Sequence, residues 1–449
     1  MNSIVIDCGN SFIKGGLFED GKLVKSIQKR SNYNDRENIT DISAVRCLCD
    51  TVESILDELI IGQKEILLGV CNEMHGFLLT DTKGNPETGY ISWRYEFGQK
   101  TVNGRTPMEV LKDEKYVESI RKTGMPLRAG LPSTNLYWIY HSDIVYGKKY
   151  VFQTLGDFIL WHMIGERGDC HLTNAAATGL YNIEEEKWCE ELIDICCNAK
   201  VMFPEVGEKE IVFDYKGAKV YAYPAIGDQQ AALKGSKFTK ESEISINLGT
   251  GAQVSRIVKD RNRGNCQIRP YFDGKYIRTI PHIPSGRALN VYINFIKSIF
   301  TEFRYEMPDE KIWDYFKSVD LQENTSLDCD LSFFDNAVTT YNRGSISNIS
   351  EKNFTIADLV RTVGNRFVSN IVSISGIVNE GLDVPDCLVF SGGVARNNPQ
   401  IIKAIVNHMG GNLSYRVSSH DTLYGCFSYV TKKYRETHEG AWKEIKNEG

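Results

Sequence analysis

Two stretches of this chain repeat one pattern. Residues 1–18 read MNSIVIDCGNSFIKGGLF: an apolar strand ending in a polar residue, a small-residue turn around Gly9, and a second apolar run. About 240 residues later, ESEISINLGTGAQVSRIV (residues 241–258) does the same around Gly249 and Gly251. A lone hairpin cannot bury its apolar faces, so two copies at this separation predict two halves built on the same unit. A third turn of this kind, Ser391-Gly392-Gly393-Val394, follows another apolar run. Glycine lets the backbone approach a ligand closely and adopt positive φ, so successive amides can face phosphate oxygens.

The segments between alternate in type. A third β run starts near Leu23, and AVRCLCDTVESILDELII (residues 44–61) spaces apolar residues three and four apart, which predicts a helix. EILLGVCNEMHGFLLTD then gives two β-like runs around a polar centre, and the alternation points to α/β architecture. With 449 residues and 42% hydrophobic composition the chain supports two cores. YPAI (residues 223–226) separates the halves, so domains are expected at 1–225 and 226–449. Residues 309–353 are polar and mixed, and predict an insertion of short helices and surface loops. An amphipathic helix follows, with Thr355 as its N-cap and Gly381 near its C-terminus, then a strand, a Gly-Gly turn and a helix holding Pro399 in its first turn.

Several function classes are disfavoured. The net charge of −6 is spread along the chain, with no basic stripe for nucleic acid and no acidic tail. No run approaches the roughly 18 apolar residues of a membrane helix, and the opening reads as a buried strand rather than a secretory leader. The twelve cysteines are irregular and include no CxxC pair, which fits reduced thiols in a cytoplasmic enzyme better than a disulfide scaffold or a zinc site. There is no GxxxxGK[ST] loop and no GxGxxG opening a first βαβ unit, so a nucleotide site needs another fold.

IDCGNSFIK resembles the first phosphate motif of the actin-like ATPase superfamily, INLGTGAQ its second, and VFSGGVARN its adenosine motif. Within that superfamily GDQQAA, together with GVCNEMHGFLLTD, YISWR and GLPSTNLYWI, is similar to the FGGY family of carbohydrate kinases, in the family's order from Ile4 to about Tyr429. The resemblance implies an α/β fold of two ribonuclease H-like domains with a ligand cleft between them, sugar-binding in the first and ATP-binding in the second.

Asp228, between Gly227 and two glutamines, reads on its own either as a helix cap ahead of Ala-Ala-Leu or as a catalytic acid-base group. The resemblance makes it the general base that takes the proton of a sugar hydroxyl. Phosphoryl transfer asks for that base, for in-line positioning and for Mg²⁺ to neutralise phosphate oxygens. Asp7 is then the Mg²⁺ anchor, with a turn-capping acid as its other reading. The resemblance assigns Asn10 and Ser11 to the γ-phosphate, while Lys14 is either a phosphate contact or a solvated strand residue. Gly249, Thr250 and Gly251 would hold phosphate, and Gly392, Gly393 and Asn397 the adenosine.

Glu73, His75, Trp93 and Arg94, with Asp228, are the candidates for sugar recognition, because neutral polyols need side chains that donate and accept. His75 also fits as a satisfied histidine under a loop. Two departures stand out: Trp93-Arg94-Tyr95-Glu96 lacks the Asp that relatives commonly show after the Trp, and Asn135 stands where Lys is frequent. CQIRPYFDGKYIRTIPHIPSGRALNVYINFI (residues 266–296), with Gln253, resembles sedoheptulokinases, though Ser285-Gly286-Arg287 replaces their Gly-Gly-Asn. The implied activity is ATP-dependent phosphorylation of a ketose's terminal hydroxyl, sedoheptulose ahead of xylulose. The implied partners are a small-molecule sugar and ATP, without nucleic acid or membrane, and with oligomeric state open, a homodimer included. A nucleotide-switched binding protein and a sugar-binding regulator that moves no phosphate are the two other classes.

Overall fold

The computed structural model describes residues 1–31, 38–145, 148–262, 264–321, 323, 325–339, 341–419 and 422–447. The chain forms two compact units, one of Met1–Lys237, Arg269–Asp273 and His420–Gly449, the other of Phe238–Ile268 and Gly274–Ser419.

In the first unit, β1 (Asn2–Cys8) and β2 (Phe12–Glu19) form the opening antiparallel hairpin, and β3 (Lys22–Arg30) continues the meander. Ile4, Val5 and Ile6 are fully buried, as in a strand covered on both faces. Helix α1 (Ser43–Leu59) buries Val45, Leu48, Val52, Ile55 and Leu59, the stripe its sequence spacing predicts, in a cluster with Ile4, Ile6 and Ile13. It returns the chain to β4 (Glu65–Asn72), parallel to β1 with Asp7 opposite Cys71.

Residues 77–203 build a second core around Phe77, Ile91, Phe97, Leu136 and Phe152. This region includes α2 (Pro132–His141), α3 (Leu155–Ile164) and α4 (Leu172–Ala176). The chain then adds β5 (Ile211–Tyr215) and β6 (Ala218–Ala222), giving the order β5-β6-β4-β1-β2-β3. The short β7 (Ile226–Gly227) pairs in parallel with the tip of β4, Ile226 opposite Cys71 and Gly227 opposite Asn72. α5 (Asp228–Gly235) starts at once, so residues 226–237 belong to the first compact unit. The C-terminal helix, Thr422–Asn447, meets α5 backbone to backbone: a Cβ on Gly425 would stand 1.7 Å from the Ala231 carbonyl oxygen.

The second unit repeats the plan. β8 (Glu243–Leu248) lies antiparallel to β9 (Gly251–Val258), which pairs with β10 (Tyr276–Pro284); α6 (Gly286–Glu302) follows. Residues 309–353 hold a helix, Asp309–Ser318, and a short strand pair, Asp328–Asp330 with Ser345–Ser347. α7 (Ile356–Asn379) is capped by Thr355, whose hydroxyl accepts the Asp358 N–H, and it ends two residues before Gly381. β11 (Cys387–Ser391) returns parallel to β8, with Asn247 opposite Ser391. α8 (Gly393–Asn397), α9 (Pro399–His408) and β12 (Ser414–Val417) complete it. Thus β1 and β8 each have an antiparallel neighbour on one side, as the repeated hairpins predict, and a parallel one on the other. No helix among the described residues is long and apolar enough to cross a membrane.

Candidate active site

Three acids mark the carboxyl ends of three neighbouring parallel strands of the first unit. Asp7 is the penultimate residue of β1, Glu73 follows the last residue of β4, and Asp228 follows β7. Because β4 pairs in parallel with both others, register alone brings the three together, at the end of an open α/β sheet where ligands bind. Side chains lock the arrangement. The Asn72 Nδ2 donates to the Glu73 carbonyl at 2.7 Å, the Asn174 Nδ2 to Asn72 Oδ1 at 2.9 Å and to the Ala225 carbonyl at 2.8 Å, and the Gly227 N–H to Thr173 Oγ1 at 3.0 Å.

Asp228 is the first residue of α5, with Gly227 at the N-cap, and its Oδ1 accepts the Gln229 N–H at 2.7 Å. Its carboxyl is pushed up to about 7, first by burial, then by the negative charges of Asp7 and Glu73, against the opposing pull of the Gln229 N–H and the Arg269 guanidinium. A base of this strength, with an edge still open, suits proton abstraction near neutral pH. Asp7 is buried; its Oδ2 accepts a hydrogen bond from the Thr422 hydroxyl and lies 3.8 Å from Lys14 Nζ. Lys14 is the cross-strand partner of Asp7. No group of three His, Cys, Asp or Glu side chains among the described residues forms a metal cage. Asp7 is a carboxylate of the kind that Mg²⁺, which keeps several waters, takes one or two of.

The proposed sugar-side residues come from the same unit. His75 has a positive φ of 65°, and its Nδ1 hydrogen-bonds the Ala177 carbonyl at 2.7 Å, an arrangement that fixes the ring and its tautomer. Trp93 is 39% exposed, and the Arg94 guanidinium lies over its ring, 5.7 Å from the centroid. Arg94, Asn10, Ser11, Phe12, Arg30 and Ser31 line a recess of about 420 Å³, so a sugar-side candidate and two phosphate-side candidates share one cavity. Asn135 is fully buried: its Oδ1 accepts the Phe97 N–H at 3.0 Å, and its Nδ2 donates to the carbonyls of Ser92 and Gly130 at 3.4 Å. It shapes the segment that carries Trp93 and Arg94.

In the second unit, the Gly249-Thr250-Gly251 turn is pinned to the start of α6. The Gly249 carbonyl accepts the Gly286 N–H and the Ser285 hydroxyl, both at 3.0 Å, and the Thr250 carbonyl accepts the Arg287 N–H at 2.9 Å. Gly392, at φ 93°, is pressed against this turn, since a Cβ there would stand 2.3 Å from the Leu248 carbonyl oxygen. The turns of the two glycine motifs therefore meet. Gly393 opens α8 and Asn397 closes it, on the surface.

Arg269, outside the expected set, joins the first unit's site. Arg269 is buried, donates from Nη1 to Gln229 Oε1, and is held down to about 9, first by burial and then by the like charge of Arg128, with Asp228 pulling the other way. Arg269 opens the Arg-Pro-Tyr-Phe signal and was within reach of sequence reasoning.

Residues 3–222 match the family model described as FGGY family of carbohydrate kinases, N-terminal domain. A glycerol kinase of Bacillus mycoides is 30% identical over 275 residues, 55% of this chain and 52% of that protein, so the chain spans about half the length of the curated relatives it matches. Among solved structures, a xylulose kinase of Lactobacillus acidophilus superposes with a TM-score of 0.79 at 18% identity, covering 97% of this chain and 89% of its own. A gluconate kinase of the same organism gives 0.79 at 17%, with the same coverage. These structures establish the fold, the two-domain actin-like ATPase fold expected from the motifs.

Proposed function

From the membership of residues 3–222 in the FGGY family of carbohydrate kinases, we propose that this chain transfers the γ-phosphoryl group of ATP to an alcohol of a sugar or polyol. The observation that carries this reading is the carboxylate triplet: Asp228, beside Asp7 and Glu73, with its carboxyl pushed up to about 7. Asp228 takes the proton of the attacking hydroxyl. At neutral pH a large part of the population is ionised, and the ionised form is a stronger base than an ordinary aspartate. Arg94, stacked on Trp93 beside Asn10 and Ser11, orients the acceptor in the recess they line. The turn at Gly249, Thr250 and Gly251, pinned to α6 and with Gly392 against it, takes the phosphates, and Gly393 and Asn397 are the companions for adenosine. Mg²⁺, anchored through Asp7, would neutralise phosphate oxygens when bound.

The acceptor is the finer part of the proposal. The segment at residues 266–296 favours a ketose, sedoheptulose before xylulose, and the names of the similar proteins add glycerol and gluconate. The test is ATP with a panel of ketoses, polyols, aldoses and sugar acids, read by mass spectrometry. A phosphorylated acceptor formed in step with ADP is expected. Binding without any phosphorylated product would leave a sugar-binding regulator instead.

A further inference from the structure

A file of hydrogen bonds runs from the residue ahead of Asp228 into the interior of the first unit. β7 is two residues long and pairs with the tip of β4. Side chains of α4 hold it as well: the Gly227 N–H donates to Thr173 Oγ1 at 3.0 Å, and Asn174 Nδ2 donates to the Ala225 carbonyl at 2.8 Å. His171 is the N-cap of α4, buried at 4% exposure, and its Nδ1 accepts the Thr173 N–H at 3.2 Å. That N–H shows which ring nitrogen is bare. The Thr173 hydroxyl, 2.7 Å from the same Nδ1, gives its proton to that nitrogen, and its oxygen is left to receive the Gly227 N–H. Nε2 then carries the ring's proton and donates it to Glu208 Oε1 at 3.1 Å, a carboxylate also met by Lys433 and the Tyr429 hydroxyl of the C-terminal helix. The Tyr429 ring packs edge-on to the imidazole, centroids 5.3 Å apart. From Gly227 through Thr173 and His171, each donor points toward Glu208.

We propose that His171 is a positioning residue for the base: by fixing the Thr173 hydroxyl it fixes the Gly227 N–H, and with it the direction in which Asp228 presents its carboxylate. This rests on the kinase reading and adds to it a residue that touches neither substrate nor nucleotide. A Cβ on Gly227 would stand 2.7 Å from Met74 Sδ, so the residue ahead of the base is held to glycine, the most permissive backbone there is. Any rotation there swings the start of α5, where Asp228 is the first residue. A threonine hydroxyl turns about its own bond and can offer a neighbour either its proton or its lone pair. With its proton committed to His171, only the lone pair faces Gly227. A base misplaced by about 1 Å loses up to ~10²-fold in rate, which is what this restraint guards against.

The test uses the full chain with Thr173→Val, Thr173→Ser, His171→Leu, His171→Asn and His171→Gln. ADP release with an acceptor that the panel shows to be phosphorylated gives kcat and KM, ATP affinity is titrated separately, and hydrogen exchange is followed on the peptide containing Gly227. Thr173→Val and His171→Leu should lower kcat by roughly 10- to 100-fold, leave acceptor KM and ATP affinity near wild type, and speed exchange in that peptide. Thr173→Ser keeps the hydroxyl and should keep kcat. Asparagine at 171 puts an acceptor where Nδ1 stands and is itself a good N-cap, so His171→Asn should recover most of the loss. Glutamine reaches toward Glu208 but leaves Thr173 without that acceptor, so His171→Gln should recover little. If Thr173→Val does not fold, asparagine against glutamine at 171 still decides. Glutamine restoring more than asparagine, or faster exchange with kcat unchanged, would overturn the proposal and leave the kinase intact. A wild type that phosphorylates no acceptor would end the kinase reading and this role with it, whatever the exchange shows.

Discussion

Asp228 shows how one side chain ties stability to activity with opposite signs. Its folded pKa of about 7 lies above the ordinary 3.8. The fold therefore favours the protonated form, and that contribution is complete below the ordinary value and lost as pH rises through about 7. Asp228→Asn is expected to be more stable than wild type near pH 8, by roughly 2–4 kcal/mol, with a higher melting temperature there, and to make little difference below about pH 4. Wild-type kcat/KM should move the other way, falling as pH drops through 7. Thermal melts and a pH-rate profile check both signs. Asp228 was legible as a residue because Gly-Asp-Gln is a recognisable string. Its proton affinity was not legible, because Asp7 and Glu73 become its neighbours only when β1, β4 and β7 pair in parallel.

At the scale of elements, the segment Ser92–Phe97 and the C-terminal helix hold the site. Asn135, which reads in sequence as a departure in substrate recognition, spends its amide on the backbone of that segment. Asn135→Ala should leave the Phe97 N–H buried without a partner, lowering stability by about 1–3 kcal/mol and raising the acceptor KM more than it lowers kcat; urea melts and initial rates measure the two. Thr422 opens the C-terminal helix and its hydroxyl bonds Asp7 across 415 residues of sequence. By the usual effect of losing a group that orients a metal ligand, Thr422→Val is expected to raise the Mg²⁺ needed for half-maximal rate by about 10- to 100-fold. A Mg²⁺ titration reads it. Local patterns announced Thr355 as a cap and α1 as a helix, since both depend on residues three or four apart. They missed that Gly227, not Asp228, is the N-cap of α5, because Asp228 is already helical and bonds the adjacent Gln229 N–H.

Across the whole molecule, the repeated hairpin was the most legible feature, since strand, turn and strand are all local. Each copy became the centre of its own sheet, with the same antiparallel and parallel neighbours. The return of the last helix to the first unit had no local signature, because it depends on contacts remote in sequence. Transfer of phosphate from ATP to an alcohol with Asp228 as the base is what we propose for this chain. The most direct measurement is acceptor-dependent ADP release by Asp228→Asn beside wild type, near pH 8, with ATP affinity measured in parallel. A kcat at least ~10²-fold lower with ATP affinity unchanged is expected; a variant that keeps half the wild-type kcat would contradict Asp228 as the base.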